Sequence, residues 1–314
     1  MTLQTSAYDE KTSAPTVDEM MKNPHFIPNR MKEQIESLDH ETLFFRNGGA
    51  NSGIVGFTEA QAEDYNPEET EEIAEFGEIP IGFDEDKEPK RKVAYSVKTG
   101  QGFRVSWEER NENKIDKVSQ RMQANVRKVR KNSVTALEEA FKRAQIPELE
   151  ITTPWNQGGN IIEGIFDGIN AVDGATDDDD PNLRFDYSAD TILMNPLAEM
   201  PIMLSEEIQK YYIGNMANEN PVFKGMTSIL IAGKLQIIRS KFITPGDMYI
   251  FERNAVGFYS DQLPLTATPL AQEHPGDPSI GGRTMSWRSD IVRKRAIGID
   301  NPKAIVKLKG VIEV

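Results

Sequence analysis

The chain has 314 residues, no cysteine, and 36 basic against 50 acidic side chains, for a formal net charge of -14 at pH 7. The missing cysteine excludes disulfides, thiolate metal sites and a cysteine nucleophile, and the acidic balance argues against free nucleic acid as the main ligand, since phosphate binding needs a basic surface. The opening MTLQTSAYDEKTSAPTVDEMM has neither a positive start nor an apolar run, so it does not read as a secretory signal, and no stretch approaches the roughly 18 apolar residues of a membrane span.

Residues 1–28 are polar, carry Pro15, Pro24 and Pro28, and read as a draped arm. A short helix is expected over 29–38, with Met31, Ile35 and Leu38 on one side. Gly48, Gly49 and Gly53 then mark a loop. Residues 59–88 are dense in Asp and Glu, with Ile73, Phe76, Ile79, Ile81 and Phe83 threaded through them. Lys87, Lys90, Arg91 and Lys92 reverse the sign. Val93, Tyr95 and Val97, and again Phe103, Val105 and Trp107, alternate with other residues, and period two means strand. The simplest picture is a two-stranded arm over 56–108, bent near 84–89. A lone two-stranded ribbon is marginal in water, so it needs another surface to lie on.

The spacing of Ile115, Val118, Met122, Val126, Val129, Leu137, Ala140, Phe141 and Ala144 predicts one long amphipathic helix over 111–145, stopped by Pro147. At 1.5 Å per residue it runs about 50 Å, long for one compact domain, and reads as a beam for other parts. Arg127, Lys128, Arg130 and Lys131 form a basic patch on it. That patch faces nucleic acid nonspecifically, pairs with acids of the same chain, or sits in water.

Beyond the helix, a short strand is expected at 149–153 and a helix at 160–172, weakened by Gly164 and Gly168. The acidic run at 177–180 lacks the spacing of a calcium loop and reads as a solvated loop. A buried strand at 189–195 ends at Pro196, and a helix follows over 197–212. Short strands are expected at 228–232, 235–240, 248–253 and 257–260. A strand over 284–299 sets Trp287, Ile291 and Ile297 among Arg288, Arg293, Lys294 and Arg295, and a last one spans 303–311 after Pro302. Trp107, Trp155 and Trp287 read as packing anchors. His25, His40 and His274 have no metal-ligand spacing, and no phosphate-cradling glycine loop is present. With no nucleophile, base or ligand set, neither an enzyme nor a cofactor nor a metal site is expected.

Three stretches carry a resemblance. AEFGEIPIGFDEDKEPKRKVAYSVKTGQGFRVSWEERNEN resembles the extended hairpin that runs into the spine helix of tailed-bacteriophage major capsid proteins, the Hong Kong 97 fold. ADTILMNPLAEMPIML resembles the strand and helix of their apical domain, and WRSDIVRKRAIGIDNPKAIVKLKGV their closing strands. The order of parts holds across nearly the whole chain. The resemblance implies an α+β fold divided into an N-terminal arm (1–55), an extended hairpin arm (56–108), a peripheral domain with the spine helix (109–157), an apical domain (158–268), a return to the peripheral domain (269–300) and a final apical strand (301–314). It implies hexamers and pentamers of the chain itself in an icosahedral shell around double-stranded DNA. It also implies a separate scaffolding protein, a portal and room for a decoration protein, with assembly in the host bacterial cytoplasm, residence in the virion and no membrane partner. DNA would be met only by nonspecific contact.

Within that picture Ile79, Ile81, Lys90, Arg91, Lys92, Val93, Tyr95 and Val97 of the arm are expected to cover a neighbouring subunit. The acidic block 68–78 is expected to meet Arg293, Lys294 and Arg295 of an adjacent copy, so that reversing those three to Glu cripples assembly and leaves folding intact. Some relatives crosslink a hairpin lysine to a neighbour's asparagine. Lys87, Lys90 and Lys92 lie suitably, but no asparagine occurs between His274 and Ser289, so no crosslink is expected. An encapsulin-type nanocompartment shares the implied fold, and the long acidic hairpin and N-terminal arm favour the phage alternative. A metal-dependent enzyme using the Asp-rich loop is the remote third reading.

Overall fold

The computed structural model describes residues 16–37, 39–62, 73, 90–178, 180–205 and 235–313. In chain order its elements are α1 (Val17–Lys22), α2 (Phe26–Glu36), α3 (Glu41–Phe44), β1 (Phe45–Ala50), β2 (Ile54–Thr58), β3 (Arg91–Tyr95), β4 (Val97–Ser106), α4 (Trp107–Asn111) and α5 (Ile115–Ala144). There follow β5 (Glu148–Glu150), α6 (Ile161–Asp173), β6 (Thr191–Met194), α7 (Pro196–Leu204), β7 (Gln236–Arg239), β8 (Asp247–Phe251), β9 (Gly257–Ala267), β10 (Ala271–Gln272), β11 (Ser286–Gly298) and β12 (Ile305–Lys309).

The long helix forms where its periodicity placed it, although it begins at Ile115 rather than at 111, and Trp107, read as the end of a strand, instead opens a short separate helix, α4. Ser106 and Glu109 close a reciprocal capping box that starts α4. Asn113, at φ 50°, then turns the chain into α5. Asparagine tolerates that left-handed region better than most residues. α5 ends at Gln145, also left-handed at φ 55°, with basic Lys142 and Arg143 in its last turn.

The buried stripe of α5 divides between two cores. Val118, Met122 and Val126 join Val17, Ile27, Met31 and Ile35 of α1 and α2, together with Phe103, Val105, Trp287 and Ile291 of β4 and β11. Val134, Leu137, Ala140 and Phe141 join the other core with α6, β6, β8 and β12. Phe44 sits at that second junction. It stacks on Phe251 at 4.1 Å and meets Phe141 edge-on at 5.2 Å.

Each core rests on its own five-stranded sheet. In the first the order is β1-β9-β11-β10, and β4 pairs β11 as well. The β4–β11 ladder is antiparallel over ten residue pairs, from Ser106 opposite Ser286 to Val97 opposite Arg295. The second sheet runs β5-β12-β8-β6-β7. All four residues of β6 are buried, as a strand inside a covered sheet requires. Gly168 lets α6 lie close on this sheet, since a Cβ there would come 2.5 Å from Ile250 Cδ1.

The structure departs from the sequence reading elsewhere too. The arm expected over 1–28 is packed from residue 16 onward. Thr16 caps α1, Val17 is buried, and its N–H donates to Asn113 Oδ1 at 2.8 Å. The glycine-rich stretch read as a loop forms β1, parallel to β9. β4, expected in the hairpin arm, belongs to the first sheet, and so does β9, expected with the second domain. The bend near 84–89, the strand at 228–232 and the second half of the helix at 197–212 lie outside the described residues.

Phe141→Ala is expected to cost about 3–5 kcal/mol, since it opens a cavity between the helix and the second sheet. Urea denaturation of unassembled subunits measures it; an unchanged midpoint would mean that α5 is not anchored at this end.

Candidate assembly surfaces

β2 and β3 form a separate two-stranded antiparallel ribbon with Ile54 opposite Tyr95, Gly56 opposite Val93 and Phe57 opposite Lys92. Directly opposed residues share a face, so the ribbon has two distinct sides. One side is anchored. Phe57 meets Phe258 edge-on at 5.3 Å, Ala94 is buried, and Lys92 pairs with Glu59 at 2.9 Å. Gly298 makes the seat, because a Cβ there would strike the Phe258 ring at 2.5 Å. Asn51 fastens the base of the ribbon to β9 through Ser260 and accepts a hydrogen bond from Ser96.

The other side is apolar and open. Ile54 is 61% exposed, Val93 53% and Tyr95 66%; Val97, the first residue of β4 in the first sheet, is 60% exposed as well. Lys90 and Arg91 are exposed at the rim. Val93, Tyr95 and Val97 were legible from their alternation; Ile54 was missed, although Ile54 and the IVGFT around it carry a short strand pattern. Ile79 and Ile81 lie outside the described residues.

The basic strand behaves otherwise than expected. Arg293 and Arg295 point into the molecule and are bound there. Arg293 reaches Glu41 at 2.7 Å, Asp39 at 3.2 Å and Ser133 Oγ at 3.1 Å. Arg295 reaches Glu41 at 2.6 Å and holds Asp261 through two parallel bonds of 2.6 and 2.8 Å, with its guanidinium 4.0 Å from the Tyr259 ring. Glu41 is fully buried, and burial pushes its carboxyl above the usual range against the pull of Arg293 and, more weakly, Arg295. Arg295 is itself desolvated, yet Asp261 and Glu41 hold it firmly charged. The two arginines are thus committed to acids of the same chain. The expectation that they await a neighbour's acidic block, and that their reversal leaves folding intact, is corrected: reversal would set buried acid against buried acid. Lys294 lies between them, half-buried.

In the acidic loop Asp178 pairs with Lys303 at 2.8 Å, and Asp180 accepts from the Asn182 backbone at 2.9 Å. Among the described residues no group of three or more His, Asp or Glu side chains is placed to hold a metal. The described helices include none long and apolar enough to cross a membrane. A second apolar stripe, Leu197, Met200 and Leu204, is exposed on α7.

Arg295→Ala strands Glu41 without one of its charged partners and is expected to destabilise the subunit by about 3–5 kcal/mol. Tyr95→Ser, on the open side of the ribbon, is expected to change it by less than about 0.5 kcal/mol. Denaturation of both variants side by side checks the contrast, and equal losses would refute the division into committed and open surfaces.

Comparison with known proteins follows the same lines. A family model described as phage capsid protein matches residues 90–308. No curated protein sequence matches the chain. Among solved structures, the virus-like particle from Pyrococcus furiosus is similar at TM-score 0.54 and 13% identity, over 90% of this chain and 98% of that one. The capsid of cyanophage P-SCSP1u is similar at TM-score 0.53 and 10% identity, over 85% and 86% of the two chains. Mycobacterium phage Che8 gives TM-score 0.53 at 8% identity, over 84% and 86%. At such identities the likeness shows the fold, an α+β arrangement resembling the Hong Kong 97-like capsids. The family model matches more than two thirds of the sequence, and the chain therefore belongs to the phage capsid protein family, as a structural subunit of a virion shell.

Proposed function

We propose that the chain is the major capsid protein of a tailed phage and assembles, as hexamers and pentamers, into the icosahedral shell that encloses double-stranded DNA. The observation that carries the reading is the open side of the β2–β3 ribbon. Three large apolar side chains, Ile54, Val93 and Tyr95, stand in water on a ribbon whose opposite side is already anchored, and Val97 at the start of β4 is exposed beside them in the chain. A contiguous exposed apolar patch marks an interaction surface. The most economical cover for it is another copy of the same subunit, through contacts that close into rings. Each contact is modest, and many acting together make a robust shell. Lys90 and Arg91 at the rim would set register and reject wrong partners rather than supply affinity.

On this reading the first sheet with α1, α2 and α5 forms the peripheral domain. The second sheet with α6 and α7 forms the apical domain, and the β2–β3 ribbon belongs to the hairpin arm. A separate scaffolding protein, a portal and a decoration protein are the partners such a shell would use. The encapsulin alternative has its support in the Pyrococcus furiosus likeness, which concerns fold alone, whereas the family model favours the phage reading.

Electron microscopy of the protein, expressed alone and with a scaffolding protein, should show closed shells or tubes. Val93→Asp combined with Tyr95→Asp should abolish them while the subunit melts as the unaltered chain does. Solitary subunits under every condition, with β2 and β3 already protected from hydrogen exchange, would overturn the assignment.

A further inference from the structure

The acid of this chain is unevenly placed. Between residues 59 and 88 the sequence holds thirteen acids against one lysine, so this segment accounts for most of the net charge of -14. α5 is the reverse, with eight basic side chains against three acidic ones. The structure separates those eight by role. Arg121 is bound to Glu109 at 2.5 and 2.9 Å. Arg130, read from sequence as part of the patch, turns inward to the Gln34 carbonyl. The others point outward: Lys117, Arg127, Lys128, Lys131, Lys142 and Arg143 are all exposed. At 100° per residue Lys117, Lys128, Lys131 and Lys142 fall within a sector of about 60°, and Lys117 to Arg143 spans about 39 Å, near one turn of B-form DNA.

At its centre this row has no acidic partner among the described residues. Among the described residues Arg127, Lys128 and Lys131 make no ion pair, and Arg127 donates only to Gln123 Oε1 at 3.5 Å. Glu139 interrupts the row near its C-terminal end and Asp116 flanks its start. The face is free of large apolar side chains, so it offers charge and little else.

We propose that the outer face of α5 lines the interior of the shell and contacts the phosphate backbone of the enclosed duplex without regard to sequence. This rests on the capsid reading above and gives it an inner and an outer side. A row of cations on an otherwise acidic subunit gains by releasing counterions from DNA. Being short and unspecific, it lets the duplex slide during filling.

The test uses purified unassembled subunits and a short fluorescent DNA duplex of mixed sequence at low salt. Arg127→Gln, Lys128→Gln and Lys131→Gln together should weaken binding at least tenfold. They should also flatten the plot of log affinity against log salt by roughly 2–3, about 0.9 per lost phosphate contact. Lys241→Gln with Arg283→Gln, on other exposed surfaces, should change neither. Intact closed shells should ignore added DNA, and shells opened by mild denaturant should bind it. The proposal fails if unaltered subunits show no salt-dependent binding or if the triple variant keeps the original slope. It fails too if closed shells bind DNA through this face, or if the triple variant binds DNA normally and no longer forms shells, which would make the face a contact between copies. Shell formation by the unaltered protein is scored separately, so failure there counts against the capsid reading and not against the basic face.

Discussion

One apolar stripe holds the subunit together. Along α5, Val118, Met122 and Val126 are buried against the first sheet, and Val134, Leu137, Ala140 and Phe141 against the second. The rod is shared by both cores, and Phe45 of β1, with Tyr259 and Ile297, adds a direct contact between the first sheet and the second core. A 30-residue helix owes most of its stability to such packing rather than to propensity. The arrangement also leaves the opposite face of the rod to solvent, where it carries charge. Packing on one side and ionic character on the other are two results of the same periodicity.

The second constraint is electrostatic. Two guanidiniums, Arg293 and Arg295, bind Asp39, Glu41 and Asp261, and so tie the start of the chain to β9 and β11. Burying charge is costly, so such a cluster adds little net stability, although removing one partner from it is strongly destabilising. Here the cluster fixes where α3 lies, and α3 delivers Phe44 to the aromatic group around Phe251 and Phe141. The ribbon depends on the same region: β1 leads directly into it, and Gly298 at the end of β11 makes room for the ring on which Phe57 rests.

The helix, the fully buried β6 and the long β11 were legible in the sequence, because each satisfies its own local pattern. What the sequence hid was partnership. Phe103 and Val105 announce a strand, but period two does not say that the strand lies against Ile291 and Trp287 rather than in an arm. β1 was invisible because Gly48 and Gly49 carry turn chemistry and no apolar alternation. It becomes a strand only through β9, more than two hundred residues later. Arg293 and Arg295 looked like surface charge since side-chain type predicts exposure only on average. Their burial follows from two acids at 39 and 41 whose proximity no local pattern encodes. Among the candidate contacts, Val93 and Tyr95 were readable because alternation alone places them on one side, whereas Val97 starts β4 in the first sheet.

The parallel pairing of β1 with β9 and the ladder of β4 with β11 have a temporal meaning. Both join strands far apart in the chain, β1 with β9 and β4 with β11, so that the second partner is made long after the first. Contacts so distant in sequence require large loops to close before they return any stability. Synthesis must therefore pass residue 298 before the first sheet can be completed, and with it the base that orients the ribbon. Nascent chains crowded on one messenger would have no finished edge to offer each other. The wiring of the fold thus makes the ribbon's base wait for β9 and β11.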